Sequence, residues 1–233
     1  MNDKIHLGII PDGNRRYCKK QGINVEDLID HWFNNMILKN VKKIVDSDFK
    51  LIKDFQEINE ISLYISSIDN INRDDGSTEL GYKLIRRVYE VYKNKARFFT
   101  LEQCKKIDDS EFDVKLNVVG DHNLIPKDIK KIINEFKQSG KDNSFVITLA
   151  MAYDYKKDLT NYGNNENSNY NREQSQIDCI FRSGNEFRTS GFFPSHILYS
   201  EIVISEKLWP EIVVQDIKDT IKIFNVRKRR FGK

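Results

Sequence analysis

Apolar residues in this chain fall into short continuous runs separated by longer stretches of helical spacing. Residues 5–10 form one such run, ending in Pro11-Asp12-Gly13-Asn14; this predicts a buried strand stopped by a turn. Asn24 and Asp27 then read as an N-cap and its N3 partner. After them Val25, Leu28, Ile29, Trp32, Phe33, Met36, Ile37, Val41, Ile44 and Val45 recur at helical spacing and predict one long amphipathic helix. Residues 61–66 alternate as a second strand and run into a polar loop over 67–73. Leu80, Leu84, Ile85, Val88 and Tyr92 mark another helix, and a charged, poorly periodic stretch follows to about Asp113.

Residues 115–121 read as a third strand and its turn, and Pro126 opens a helix with Ile129, Ile132, Ile133 and Phe136 inward. The apolar run 145–153 has the continuity of a strand covered on both faces. Residues 160–176 are crowded with Asn, Tyr, Ser and Gln and predict a flexible loop. Strands over 177–181 and 201–205 and a closing helix with Ile217, Ile221 and Phe224 inward complete the chain. Strands alternating with helices predict an α/β fold, a mainly parallel central sheet flanked by helices. No repeat or linker interrupts residues 1–233, so a single domain is expected.

Two polar clusters stand at strand ends, where open α/β sheets hold ligands. In the first, Asp12 offers a carboxylate for a metal ion, and Arg15, Arg16, Lys19 and Lys20 follow it. In the second, Arg182, Ser183, Gly184, Glu186, Arg188 and Ser190 place two arginines around a glycine and hydroxyls, a set suited to a diphosphate. Taken alone, the first cluster reads more readily as a solvated surface turn, and the second reads equally well as a surface loop with an arginine–glutamate pair.

Bulk numbers narrow the function classes. With 38 Lys and Arg against 35 Asp and Glu, the formal charge of +3 is too mild to imply a nucleic-acid partner. Cys18, Cys104 and Cys179 share no metal-like spacing, and an odd count argues against a disulfide framework. The start of the chain lacks the apolar stretch of a signal peptide and no segment approaches a membrane span. A cytoplasmic protein with at most peripheral membrane contact is expected.

With both clusters in view, the chain resembles the cis-prenyltransferase family, typified by undecaprenyl diphosphate synthases, from His6 to Gly232. Ile9 to Tyr17 is similar to the Asp-Gly-Asn-x-Arg-aromatic signature, and Ser67 to Arg73 to a Ser-x-x-Asn-x-x-Arg loop. Val119-Gly120-Asp121 with Leu124 and Pro126 resembles a third motif. Asp178 to Trp209 resembles a fourth, and Arg229-Arg230-Phe231-Gly232 the family's tail. The resemblance implies a homodimer with an apolar tunnel between sheet and helices, its depth set by side chains between Leu80 and Phe99. It implies substrates that are isoprenoid diphosphates: isopentenyl diphosphate with dimethylallyl, geranyl or farnesyl diphosphate. It implies Mg²⁺ held by Asp12 and Glu201, and catalytic roles for Asp12, Asn14, Ser67 and Asn70. Arg73, Arg182, Arg188 and Ser190 would hold the second substrate's diphosphate. Gly13, Arg15, Arg16 and His31 would hold the allylic one, and Arg230 and Gly232 would reach into a partner's site.

Departures from the family pattern cluster at the same place: Pro11, Arg15, Val25, Ile71, Asn185 and Phe187 replace its usual residues. Pro11, the acidic pair Glu26-Asp27 and Phe192-Phe193-Pro194 resemble the lavandulyl diphosphate synthase branch, which joins two dimethylallyl diphosphates head-to-middle. Asn14 and Glu186 instead follow the elongating enzymes. Condensation of an allylic isoprenoid diphosphate with a second C5 isoprenoid diphosphate to a short product is therefore the expectation, with irregular head-to-middle coupling or a non-catalytic partner subunit as alternatives.

Overall fold

Strand β1 (Ile5–Ile10) is buried at every position, as the centre of a sheet covered on both faces must be. The computed structural model in which it lies describes residues 4–53, 55–73, 76–110, 114–137, 145–164 and 176–228. Around β1 run β2 (Ile58–Tyr64), β3 (Val114–Val119), β4 (Phe145–Ala150), β5 (Cys179–Arg182) and β6 (Glu201–Ile204). All pair in parallel, in the order β3-β4-β2-β1-β5-β6. From β1 the chain lays β2 on one side, places β3 at that edge and returns to insert β4 between them, then adds β5 and β6 on the other side, so the switch in direction falls at β1. Crevices open at such points, beyond the carboxyl ends of the strands.

Side chains alternate between the two faces of the sheet. One face carries Ile5, Leu7, Ile9, Cys179 and Phe181 against Ile212 and against Ile221 and Phe224 of α10 (Val214–Val226). Further along that face Val118 and Leu149 pack on Tyr82 of α6 (Ser77–Lys93) and on Ile129, Ile132 and Ile133 of α8 (Lys127–Lys137). The other face places Ile10, Val119, Ala150 and Ile180 against Ile177, Phe192 and Phe193. Outside that aromatic layer lies α9 (Tyr155–Asn164), tied by a hydrogen bond from Ser195 to Asp158, 2.8 Å, in the buried interior.

Several elements depart from the sequence pattern. The long first helix is segmented. A 3₁₀ turn at Val25–Asp27 leads into α2 (Leu28–Trp32), a π turn occupies Phe33–Ile37, and α3 (Leu38–Asp46) and the single turn α4 (Lys50–Lys53) follow. Asn34 and Asn35 stand inside the π turn, where asparagine competes with the helix for backbone hydrogen bonds. Asn24 makes no side-chain cap; its amide donates to the Asp27 carboxylate at 3.3 Å instead. The stretch 67–73 is not a loop but a capped helical turn, α5 (Ile68–Asn72), and the charged stretch before 113 holds α7 (Leu101–Asp108). Of the segment expected to be flexible, residues 160–164 belong to α9 and 165–175 lie outside the described residues. Among the described residues no helix is long and apolar enough to cross a membrane.

Candidate functional site

A cleft of about 640 Å³ opens beyond the carboxyl ends of β1, β2 and β5. Three segments line it: Ile10 to Arg16 after β1, Tyr64 to Arg73 after β2, and Arg182 to Gly191 after β5, with Tyr155 joining from α9. Five arginines (15, 16, 73, 182 and 188) face two aspartates (12 and 69) there, so the cleft is built for anions.

The floor is shaped by backbone. Gly13 takes φ +101° and stands before α1 (Asn14–Gln21) without capping it through a side chain, so the helix's first N–H groups are left for a ligand. A Cβ at Gly13 would lie 2.7 Å from Leu208, so the Leu208-Trp209-Pro210 segment backs the turn directly. Trp209 donates its backbone N–H to the Asp12 carbonyl at 2.9 Å. Ser183 accepts from the Asp12 N–H and donates to the Asp12 carbonyl, both at 2.8 Å. The first and fourth sequence motifs are thus one backbone-bonded unit.

Arg182 is the buried centre of this unit, its side chain only 3 % exposed. It donates to Asp12 Oδ2 at 2.6 Å, to the Arg188 carbonyl at 2.5 Å and to Ser190 Oγ at 3.0 Å. Its Nε is buried without a hydrogen-bond partner. Arg16 reaches Asp12 Oδ1 at 3.4 Å and Glu186 at 3.7 Å, and Glu186 also pairs with Arg188. Tyr64 donates to the Ser190 carbonyl at 3.1 Å, and burial pushes its phenol up to about 12, so it stays a neutral donor. Ser190 and Asn185 hold left-handed backbone, φ +52° and +56°. Asparagine tolerates that conformation, which explains why it can replace glycine at 185.

Of the residues singled out in the sequence, Asp12, Gly13, Asn14, Arg15, Arg16, Asn70, Arg73, Arg182, Arg188 and Ser190 all line the cleft. Ser67 does not. Its Oγ accepts from Asn70 N–H at 3.1 Å while Asn70 Oδ1 accepts from Ser67 N–H at 3.0 Å, a capping box that occupies both side chains. His31 is exposed on α2 and does not line the cleft, because Leu28, Ile29 and Trp32 take the inward face. Glu201 is displaced further. It pairs with Cys179, three positions before Arg182, and so sits at the opposite end of the sheet, roughly 10 Å back along the strands from Arg182. A metal site built from Asp12 and Glu201 of one chain is therefore not formed. Arg230 and Gly232 lie outside the described residues. Sequence reading missed Tyr64, Asp69, Tyr155 and Gly191; Tyr64 ends β2 and Asp69 lies in the signalled stretch after it, whereas nothing marked the others.

Among the described residues no three His, Cys, Asp or Glu side chains gather as a metal cage. Asp12 beside the cleft's arginines offers a single carboxylate, a donor that would suit a Mg²⁺ ion shared with phosphate oxygens.

A second hollow, about 860 Å³, lies on the α10 face of the sheet, with Ile9, Ile44, Phe49, Phe55, Ile61 and Ile217 among its walls. It fits an apolar chain. None of its walls comes from residues 80–99; they come from α3 and the residues after it, the segment around the start of β2, residues 106–110, Phe145 and α10. Phe192 and Phe193, part of the lavandulyl-like pattern, are fully buried in the sheet's other face, where they pack on Tyr64 and Tyr153. They line neither cavity.

Comparison with known proteins agrees with this geometry. The sequence profile of a family described as putative undecaprenyl diphosphate synthase matches residues 10–232. A tritrans,polycis-undecaprenyl-diphosphate synthase (geranylgeranyl-diphosphate specific) of Pyrobaculum aerophilum is 28 % identical, over 98 % of this chain and 95 % of its own length. An isoprenyl transferase of Chlorobaculum tepidum is 27 % identical, over 98 % and 85 %. Among solved structures, lavandulyl diphosphate synthase from Lavandula x intermedia, in complex with dimethylallyl diphosphate, shares the fold with a TM-score of 0.71 at 19 % identity, covering 100 % and 99 % of the two chains. A probable undecaprenyl diphosphate synthase from Campylobacter jejuni does so with a TM-score of 0.64 at 21 % identity, covering 100 % of both. Motifs, sheet order and profile converge: the chain belongs to the undecaprenyl diphosphate synthase, or cis-prenyltransferase, family of prenyl-transferring enzymes.

Proposed function

We propose that the protein condenses an allylic isoprenoid diphosphate with isopentenyl diphosphate to a short prenyl diphosphate. The observation that carries this reading is the arginine-walled cleft beyond the carboxyl ends of β1, β2 and β5, in a sheet whose α10 face also holds an apolar hollow; Ile10 lines the first and Ile9, one residue back on the opposite face of β1, the second. Breaking the allylic C–O bond places negative charge on the departing diphosphate and positive charge on the allyl group. The N–H groups at the start of α1, with Arg15 and Arg16, stabilise the departing diphosphate, since preorganised donors act most strongly where charge develops. Arg73, Arg188 and Ser190 hold the second diphosphate so that its double bond reaches the allylic carbon. Apolar walls keep water from the cation. The proton released from the second substrate goes to a diphosphate oxygen, because Ser67 and Asn70 are committed to each other. Mg²⁺, held by Asp12 and the diphosphate oxygens, would supply further charge stabilisation.

The partner is a second copy of the chain. In support, β6 is a sheet edge, and Leu198, Tyr199, Ile202 and the 82 % exposed Phe187 leave apolar surface along it. Glu201, remote from Asp12 within one chain, opens this same edge strand and is half-buried there.

The elongating reading is preferred to head-to-middle coupling because Phe192 and Phe193 belong to the core and Glu26 and Asp27 lie exposed outside the cleft. Product analysis with radiolabelled C5 diphosphates and Mg²⁺ separates the two. Product only when isopentenyl diphosphate is present is expected; product from dimethylallyl diphosphate alone would establish irregular coupling. No product in any mixture, with longer allylic starters included, would leave a partner subunit.

A further inference from the structure

Both carboxylate oxygens of Asp12 are engaged by arginines: Oδ2 by Arg182 at 2.6 Å and Oδ1 by Arg16 at 3.4 Å. A carboxylate offers a divalent cation its lone pairs and its charge, and here two guanidinium groups claim both. Each positive charge close to Asp12 also opposes a second cation at the same place, since like charges within a few ångströms repel strongly where solvent is restricted. Arg182, meanwhile, is under-satisfied. Its Nε is buried with no acceptor, although the side chain is only 3 % exposed. A guanidinium carries five donors and pairs best with phosphate oxygens two at a time. Arg16 is half exposed and already shared between Asp12 and Glu186, so it has acceptors to exchange.

We propose that the cleft takes its anion before its cation: a diphosphate draws Arg16 and Arg182 off Asp12, and only then does Asp12 become a metal ligand. Asp12 is thus latched in the resting protein, and the latch is opened by the substrate's own phosphates. Coupling of this kind is reciprocal, so whatever the diphosphate adds to metal affinity, the metal adds to diphosphate affinity. The latch prevents the carboxylate from being occupied by a cation that carries no substrate. The inference rests on the diphosphate reading of the cleft.

The test uses the full chain, with inorganic diphosphate and Mn²⁺ as probes. Calorimetric titration of inorganic diphosphate in EDTA is expected to show binding. Mn²⁺ added alone, followed by loss of the free-ion paramagnetic resonance signal, is expected to show none at matched concentrations. Arg16→Gln frees Asp12 Oδ1 and removes one charge at a half-exposed position, so it endangers folding little. It is expected to raise the affinity for Mn²⁺ alone by about tenfold or more, and the double variant Arg16→Gln/Asp12→Asn to lose that gain. Wild-type protein that binds Mn²⁺ alone as tightly as Arg16→Gln does would overturn the latch while leaving the diphosphate reading intact. So would a diphosphate that binds only when Mg²⁺ is present. Absence of diphosphate binding with and without Mg²⁺ would overturn both.

Discussion

Arg182 joins two of the cleft's three segments, since one guanidinium bonds Asp12 from the first segment and Arg188 and Ser190 from the third. A lysine at that position has the charge but not the fork, so it reaches one of those partners at a time. Arg182→Lys is therefore expected to keep the fold, by circular dichroism, and to lower turnover on the order of 10²–10³-fold, the usual loss when one preorganised donor set is removed. This residue was legible in the sequence because it ends an apolar strand and is followed by Ser-Gly, the chemistry of a strand-end turn. Glu201 was not, because the same kind of polar residue at the start of a strand lies at the other end of the sheet, and a motif match carries no sense of which end. His31 stood beside an apolar stripe, and only the packing of Leu28, Ile29 and Trp32 decides that it faces outward.

At the scale of elements, short polar stretches were the hardest to read. Ser67 and Asn70 look like catalytic residues in a loop, yet they cap the start of a helical turn through two reciprocal bonds. Ser67→Ala should cost about 0.5–2 kcal/mol in urea unfolding, as loss of an N-cap does. Ser67→Asp, which can also accept from the N3 amide, should recover most of it. The long helix was legible from its period but its π turn was not, since apolar spacing survives the insertion. Helices α2 and α6 are clamped where Lys83 and Arg87 meet Asp30 at 2.7 and 3.0 Å. The Lys83 bond, chiefly, holds the Asp30 carboxyl below its ordinary 3.8, against a smaller opposing effect of burial. A depressed carboxyl contributes stability that is complete above its unfolded value and fades as pH falls through its folded value. Wild type and Asp30→Asn should therefore differ in thermal midpoint at pH 6 and converge below pH 3.8. The pair is partly exposed, so the difference should also shrink at high salt.

For the whole molecule, the sheet order places β1 at the switch and so fixes where the anion end must be, while the apolar face beside α10 fixes where a chain can lie. The alternation of strands and helices made the parallel sheet legible from the start, but not its strand order, which is set by contacts between residues far apart in sequence. The apolar hollow was not legible for the same reason: α3, Phe55 and α10, which line it, meet only after folding. The measurement that tests the account most directly is a crystal structure of the protein with Mg²⁺ and a non-reacting thiolo analogue of an allylic diphosphate. The account predicts a diphosphate against the N-terminus of α1, within hydrogen-bond reach of Arg16, and a prenyl tail turned toward Ile9 and the α10 face. A diphosphate bound outside the arginine cleft, or a tail packed against Phe192 and Phe193, would contradict it.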